Sequence, residues 1–213
     1  MSAYFVTGIG TDVGKTFASC ALLYGAKKNK AALKPVACGA DHGLNGDVAE
    51  LSKASGANTA ETSPWWFKAT LSPNMAAAAE GKTIDLAALT DWTRARIKPD
   101  TFTLIEGVGG IMVPLNDKQT VRDWMVALEL PVILVAGTYL GALNHTLSAL
   151  EILRAAKLNV AAVIISESEA GVSLADTEST IRQFARDIPL IIAQPRVSSW
   201  KEAHAIHALA EKL

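Results

Sequence analysis

The sequence predicts an α/β fold: a mostly parallel sheet with helices on both faces. Three observations carry that prediction. Strand-like runs alternate with helical ones along the chain, as βαβ units require. Half of the 213 residues are hydrophobic, which suits a sheet buried on both sides. A glycine-rich turn also joins the first apolar strand to the first helix.

The elements are taken in order. Tyr4, Phe5 and Val6 mark a buried strand over 3–7, and the pattern from Lys15 onward marks a helix over 15–28. Strands follow at 31–36, 101–106, 131–136, 159–165 and 188–192. Helices fall at 46–55, 74–80, 85–97, 120–129, 143–157, 173–186 and 201–212. The segment 56–73 is the least regular and reads as a long surface excursion; Trp65 and Trp66 within it are better suited to packing than to covering a substrate. Right-handed crossovers place the helices on both faces. Ligands are then expected beyond the carboxyl ends of the strands. The length predicts one domain over 1–213.

Composition excludes several classes. The formal net charge is −1, so no basic surface points to nucleic acid or to a membrane. The apolar run Val132–Ala136 is far too short to span a bilayer. The chain enters its first strand at once, with no signal peptide to be seen. Two cysteines, Cys20 and Cys38, make no disulfide framework, and a cytoplasmic home is expected. Cys20 falls in the first helix and reads as core.

Residues 3–18, AYFVTGIGTDVGKTFA, read as strand, loop and helix start: a phosphate cradle of the P-loop NTPase kind. The backbone of Asp12, Val13, Gly14, Lys15, Thr16 and Phe17 would converge on an anion, with the helix dipole adding partial positive charge. Lys15 can reach outer phosphates, and the Thr16 hydroxyl can bind Mg²⁺. The spacing is unusual. The common motif has glycine where this chain has Ile9, and the glycines stand at Gly8 and Gly10 instead.

Further candidates sit at strand ends. Lys34 ends the second strand, where it would concentrate positive charge beside Lys15. Asp47 begins a helix, as an N-cap or as a carboxylate facing Mg²⁺. Glu106 ends the third strand and is followed by Gly107, Val108, Gly109 and Gly110. An acid there suits Mg²⁺, and glycines let backbone approach a ligand. After the fourth strand, residues 137–145 form another glycine-containing loop and helix start, suited to a carboxylate. His145 reads as a cap or buried hydrogen-bond partner. His204 and His207 lie one helical turn apart and read as a solvated face.

Taken together, the ordered pieces F-V-T-G-x-G-T-D-V-G-K-T, K-P-V-A-C-G, G-D-x-A-x-L, S-P-N-x-A-A, I-E-G-V-G-G, L-P-V-I-L-V and L-G-x-L-N-H resemble the dethiobiotin synthetases through residue 165. The resemblance implies a homodimeric ligase that uses ATP and Mg²⁺. Its substrates would be 7,8-diaminopelargonate and CO₂ or bicarbonate, with a carbamate and a carbamic-phosphoric anhydride as intermediates. It assigns Lys15 and Lys34 to carbamate and phosphoryl stabilisation, and Thr16, Asp47 and Glu106 to Mg²⁺. Thr11 and Cys38 would lie near the diamine. The loop Leu140–Asn144, with Gly141, Leu143 and Asn144, would reach across the dimer to the substrate carboxylate. Ser166, Gln194, Pro195 and Arg196 stand on the base side.

The departures from that pattern are specific. Cys38 replaces a usual Ser, and a thiol is the weaker hydrogen-bond partner. Ile9-Gly10 replaces a frequent Thr-Asp, and Asn74 a common His. Ser166 and Glu167 stand where the family often places Asn to read the base. Alternatives are an ATP-dependent amide-forming synthase, whose glutaminase domain 213 residues could not hold, and a partition-type switch ATPase. The latter usually carries an extra lysine early in the loop, and none lies between Met1 and Lys15. A member of the family that has lost catalysis is a third.

Overall fold

The computed structural model describes residues 3–27, 29–39, 46–58 and 63–213. Alternate residues of β1 (Ala3–Gly8) enter two different cores. Ala3 and Phe5 face one side of the sheet, Tyr4 and Val6 the other. Burial on both faces explains why β1 reads as a continuous apolar run. The same holds for β6 (Val132–Ala136), where Val132 and Leu134 face one core and Ile133 and Val135 the other.

The main sheet has six strands in the order β2-β5-β1-β6-β7-β8, and every pairing in it is parallel. Its other members are β2 (Asn29–Leu33), β5 (Thr101–Glu106), β7 (Val160–Ser166) and β8 (Ile191–Gln194). From β1 the chain builds one side with β2 and β5 and the other with β6 to β8. The carboxyl end of β1 therefore opens between the two halves, where α/β sheets bind ligands.

Helices close both faces: α1 (Lys15–Gly25), α2 (Asp47–Ser55), α3 (Pro73–Ala79), α4 (Leu86–Arg94), α5 (Val121–Leu128), α6 (Ala142–Ala155), α7 (Leu174–Phe184) and α8 (His204–Ala210). Their starts follow local chemistry. The Asp85 side chain accepts from the amides of Ala87 and Ala88 ahead of α4. Thr120 and Asp123 form a capping box at α5, satisfying orphan amides reciprocally. The predicted C-terminal helix is interrupted. A 3-10 turn at Trp200–Glu202 precedes α8, and the Ser199 side chain caps that turn.

Two expectations need correction. The predicted strand 31–36 is two strands. β2 stops at Leu33, and β3 (Val36–Cys38) leaves the main sheet to pair with β4 (Trp65–Phe67). Pro35 separates them; it has no N–H to continue a ladder. The segment 56–73 is correspondingly not all excursion. Its WWF run is a parallel strand, and the Trp65 amide donates to the Pro35 carbonyl at 3.0 Å. Phe67 is fully buried, and Trp65 meets Trp92 edge-on. Lys28, at the end of the first predicted helix, and residues 59–62 of that segment lie outside the described residues. Among the described residues, no helix is long and apolar enough to cross a membrane.

Candidate active site

The glycine-rich loop leaves β1 at Gly8 and enters α1 at Gly14. Asp12 and Gly14 both take left-handed backbone, with φ of 56° and 88°. At Gly14 a side chain would be strained and would meet the Ser166 hydroxyl at 3.2 Å. Gly8 is required for another reason: a Cβ there would come within 2.8 Å of Val13 Cγ2 and 3.0 Å of Lys15 Cδ. No side chain caps α1, so its first-turn amides are left for an anion.

Lys15 lies buried along this loop, and its Nζ donates to the Gly10 carbonyl at 2.7 Å. Burial, then the neighbouring Lys34 ammonium, pulls its pKa down to about 8 against the opposing carboxylates of Glu106, Asp47 and Asp12. It is thus a desolvated cation held over an anion site.

Beneath it stands a second buried cation. The Lys34 side chain is only 4% exposed. Its Nζ donates to Glu106 Oε1 at 2.8 Å and to the Gly107 carbonyl at 3.0 Å, and pairs with Asp47 Oδ2 at 3.1 Å. Burial opposes this charge, but the Glu106 and Asp47 carboxylates outweigh it and raise the lysine's pKa. Glu106 also accepts from Thr16 Oγ1 on Oε1 and from Ser19 Oγ on Oε2, each at 2.8 Å. A buried carboxylate needs this many partners. Partial burial pushes the Asp47 carboxyl up, yet the Lys34 ammonium, by its charge and its hydrogen bond, holds it below the ordinary range.

Thr11, Asp12, Gly14, Lys15, Thr16, Phe17, Lys34, Cys38, Asp47, Val108 and Gly109 line one cleft of about 720 Å³. Glu106 and Gly107 are buried behind its wall. Asp12, Val13, Gly14 and Phe17 also border a second cleft of about 420 Å³, whose far side is Ser166, Gln194, Pro195 and Arg196. Gly141, Leu143 and Asn144 line neither cleft of the single chain.

A family model described as an AAA domain matches residues 2–201. A protein of Caulobacter sp. (strain K31), named ATP-dependent dethiobiotin synthetase BioD, is 46% identical over 220 residues, which is 99% of this chain and 95% of that one. Escherichia coli O157:H7 has an ATP-dependent dethiobiotin synthetase BioD 1 that is 38% identical over 173 residues, 77% of each chain. The chain belongs to the dethiobiotin synthetase family.

Solved structures share the fold of this dethiobiotin synthetase family member. The cell division ATPase MinD of Pyrococcus furiosus superposes with a TM-score of 0.60 at 14% identity, covering 100% of this chain and 98% of that one. A ParA family ATPase from Chlorobium tepidum TLS gives 0.56 at 14%, covering 100% and 95%. At such identity the likeness is one of fold.

The departures from the dethiobiotin synthetase pattern sit at the clefts or beside them. Cys38 lines the first cleft, and burial lifts its thiol to about 11. Ile9 stays with the sheet, donating its amide to the Val135 carbonyl at 3.0 Å, so the loop departs only after it. Asn74 is half-buried and accepts from Ser72 Oγ at 2.6 Å. His145 meets the Tyr139 hydroxyl at 2.7 Å, and the His204 and His207 rings stack edge-on. Among the described residues no group of three His, Cys, Asp or Glu is placed to hold a metal.

Sequence reasoning missed Ser19, which clamps Glu106 from one helical turn beyond Lys15. It also missed Thr70 to Pro73, which form the wall facing the phosphate loop. The spacing of Ser19 from Thr16 was a usable signal. Nothing in the sequence placed residues 70–73 opposite the loop.

Proposed function

We propose that this chain is an ATP-dependent dethiobiotin synthetase. It would join 7,8-diaminopelargonate and CO₂ with the hydrolysis of ATP to ADP and phosphate, acting as a homodimer of one-domain subunits in the cytoplasm. The observation that carries this reading is the pair of buried lysines, Lys15 and Lys34, converging on one cleft bordered by Thr11 and Cys38. Successive anions need such a place: a carbamate, a transferring phosphoryl group and a leaving phosphate.

One substrate amine adds to CO₂ and loses a proton, giving a carbamate. A carbamate oxygen attacks the γ-phosphorus, and the bond to ADP breaks. The second amine then attacks the carbonyl carbon and expels phosphate, closing the ureido ring. In this sequence the Lys15 ammonium swings from the Gly10 carbonyl to the phosphates. Lys34 stays at the floor, where its charge faces the carbamate. The amides of residues 12–17 hold the polyphosphate in line with the attacking oxygen. Thr11 and Cys38 border the diamine. Asn144, with Gly141 and Leu143, would act on the substrate carboxylate of the partner subunit.

Mg²⁺ fits the residues present. Thr16, Asp47 and Glu106 offer hard oxygen donors around one hydroxyl, the set this ion prefers, and when bound it would neutralise charge on the β- and γ-phosphates. Ser19 and Lys34 keep the Glu106 carboxylate oriented for that role.

The test is phosphate release with ATP, Mg²⁺ and bicarbonate, with and without the diamine, and mass detection of dethiobiotin. Product only with the diamine, lost in Lys15→Ala, is the expected result. Diamine-independent hydrolysis without dethiobiotin would favour a switch ATPase.

A further inference from the structure

The Lys34 ammonium carries three protons, and three acceptors surround it. Glu106 Oε1 stands at 2.8 Å, the Gly107 carbonyl at 3.0 Å and Asp47 Oδ2 at 3.1 Å. With those contacts its donor capacity is spent. Yet Lys34 lines the first cleft, where its charge would face a carbamate. Charge acts over a distance, but a hydrogen bond to that anion needs a free N–H. One of the three acceptors must therefore let go.

The three are not equally able to do so. The Glu106 side chain is 1% exposed, and Thr16 and Ser19 fix it in place. Parted from Lys34, it would keep a buried charge without its cation. The Gly107 carbonyl is backbone, anchored by the Gly107 amide, which donates to the Val6 carbonyl at 2.9 Å. Asp47 is different. Its side chain is 54% exposed, it opens α2, and it lines the same cleft. If it leaves, Lys34 still has Glu106 to neutralise it.

Given the carbamate and Mg²⁺ readings above, on which this rests, we propose that Asp47 exchanges partners, from the Lys34 ammonium to the cation that accompanies the nucleotide, and so releases one Lys34 N–H for the carbamate. Lys34 itself stays on Glu106 and Gly107. Asp47 held by Lys34 closes the carbamate position, and Asp47 drawn away from Lys34 opens it. The nucleotide with its cation and the carbamate then bind cooperatively, because each requires the same Lys34–Asp47 contact to break. The coupling is reciprocal, as linkage demands.

Calorimetric titration of the full chain with the diamine in bicarbonate buffer tests this, with and without Mg²⁺ and ADP. ADP lacks the γ-phosphate, so direct contact between that group and the carbamate cannot supply a gain. In the wild type, Mg²⁺ and ADP should tighten the diamine about tenfold or more, the worth of one hydrogen bond between charged groups. Without CO₂ or bicarbonate no carbamate forms, and the gain should vanish. Asp47→Ala frees the Lys34 proton outright. Its affinity for the diamine without nucleotide should lie within about threefold of the wild type with Mg²⁺ and ADP, and adding them should change it no further. Asp47→Ser, which preserves a favoured helix-capping residue, should behave alike and serves if Asp47→Ala does not fold. Equal wild-type affinity with and without Mg²⁺ and ADP overturns the proposal. So does a folded Asp47 variant that binds the diamine no more tightly than the nucleotide-free wild type. Failure of the diamine to bind under any of these conditions overturns the carbamate reading with it.

Discussion

Lys34 holds a charge that water barely reaches, and Glu106 beside it is 1% exposed. Neither ion is tolerable alone in that position, because a buried ion deprived of its partner keeps its desolvation cost and loses its compensation. Lys34→Met is therefore expected to destabilise the metal-free protein by about 3–5 kcal/mol, read as a lowered urea midpoint at unchanged slope. A loss below about 1 kcal/mol would mean that Thr16 and Ser19 alone satisfy the carboxylate. Cys38 shows the opposite balance. Its thiol is lifted to about 11, chiefly by burial and against the pull of Lys34. A raised thiol pKa keeps the neutral form, so at pH 8 its thiolate fraction lies about two orders of magnitude below that of an ordinary cysteine near 9. Iodoacetamide should then modify folded Cys38 about a hundredfold more slowly than a short cysteine peptide, the rate climbing until pH passes about 11. Rapid alkylation at pH 8, located by peptide mapping, would contradict that burial. These roles were only partly readable in advance. Lys34, Asp47 and Glu106 announce themselves at element ends, but Ser19 is 87 residues from the Glu106 it clamps, and nothing local records a contact at that distance.

Among the elements, the turn between β1 and α1 was the most readable, because its demands are local: small residues where backbone must pass, and a helix start facing an anion. Gly8 has a steric reason as well. A methyl there meets Val13, which is buried, and then the stem of Lys15. Gly8→Ala should cost about 1–3 kcal/mol of stability by overpacking. It should also weaken ATP binding about tenfold or more by displacing Lys15, with the far-UV dichroism intact. Normal affinity in the variant would show that the loop relaxes without moving its lysine. Strand β4 was unreadable for the converse reason. Trp65-Trp66-Phe67 is three residues long with no alternation, and its partner β3 lies across the chain at Val36–Cys38. Long-range pairing, not propensity, makes it a strand. The break at Lys34-Pro35 follows from proline chemistry, but its consequence does not. By ending β2 one residue before Lys34, it frees that side chain to turn beneath the phosphate loop.

At the scale of the whole molecule, the loop before α6 has no evident work in one chain. Leu140 is 89% exposed, and Gly141, Leu143 and Asn144 border neither cleft. The sheet order places this loop after β6, next to β1, on the same carboxyl edge as the phosphate loop. An apolar residue that far into water is accounted for if a second copy covers it, and the proposed homodimer would put Asn144 of one subunit over the cleft of the other. Subunit mixing separates that arrangement from one complete within each chain. Lys15→Ala and Asn144→Ala should each be inactive, or nearly so, by themselves. When equal amounts are dissociated and reassociated together, half of the dimers pair unlike subunits. Each such dimer holds one site with both residues intact and one with neither, so activity should return to about a quarter of the wild-type value per site. If Asn144 served its own subunit, every site in the mixture would still lack one of the two residues, and no activity would return.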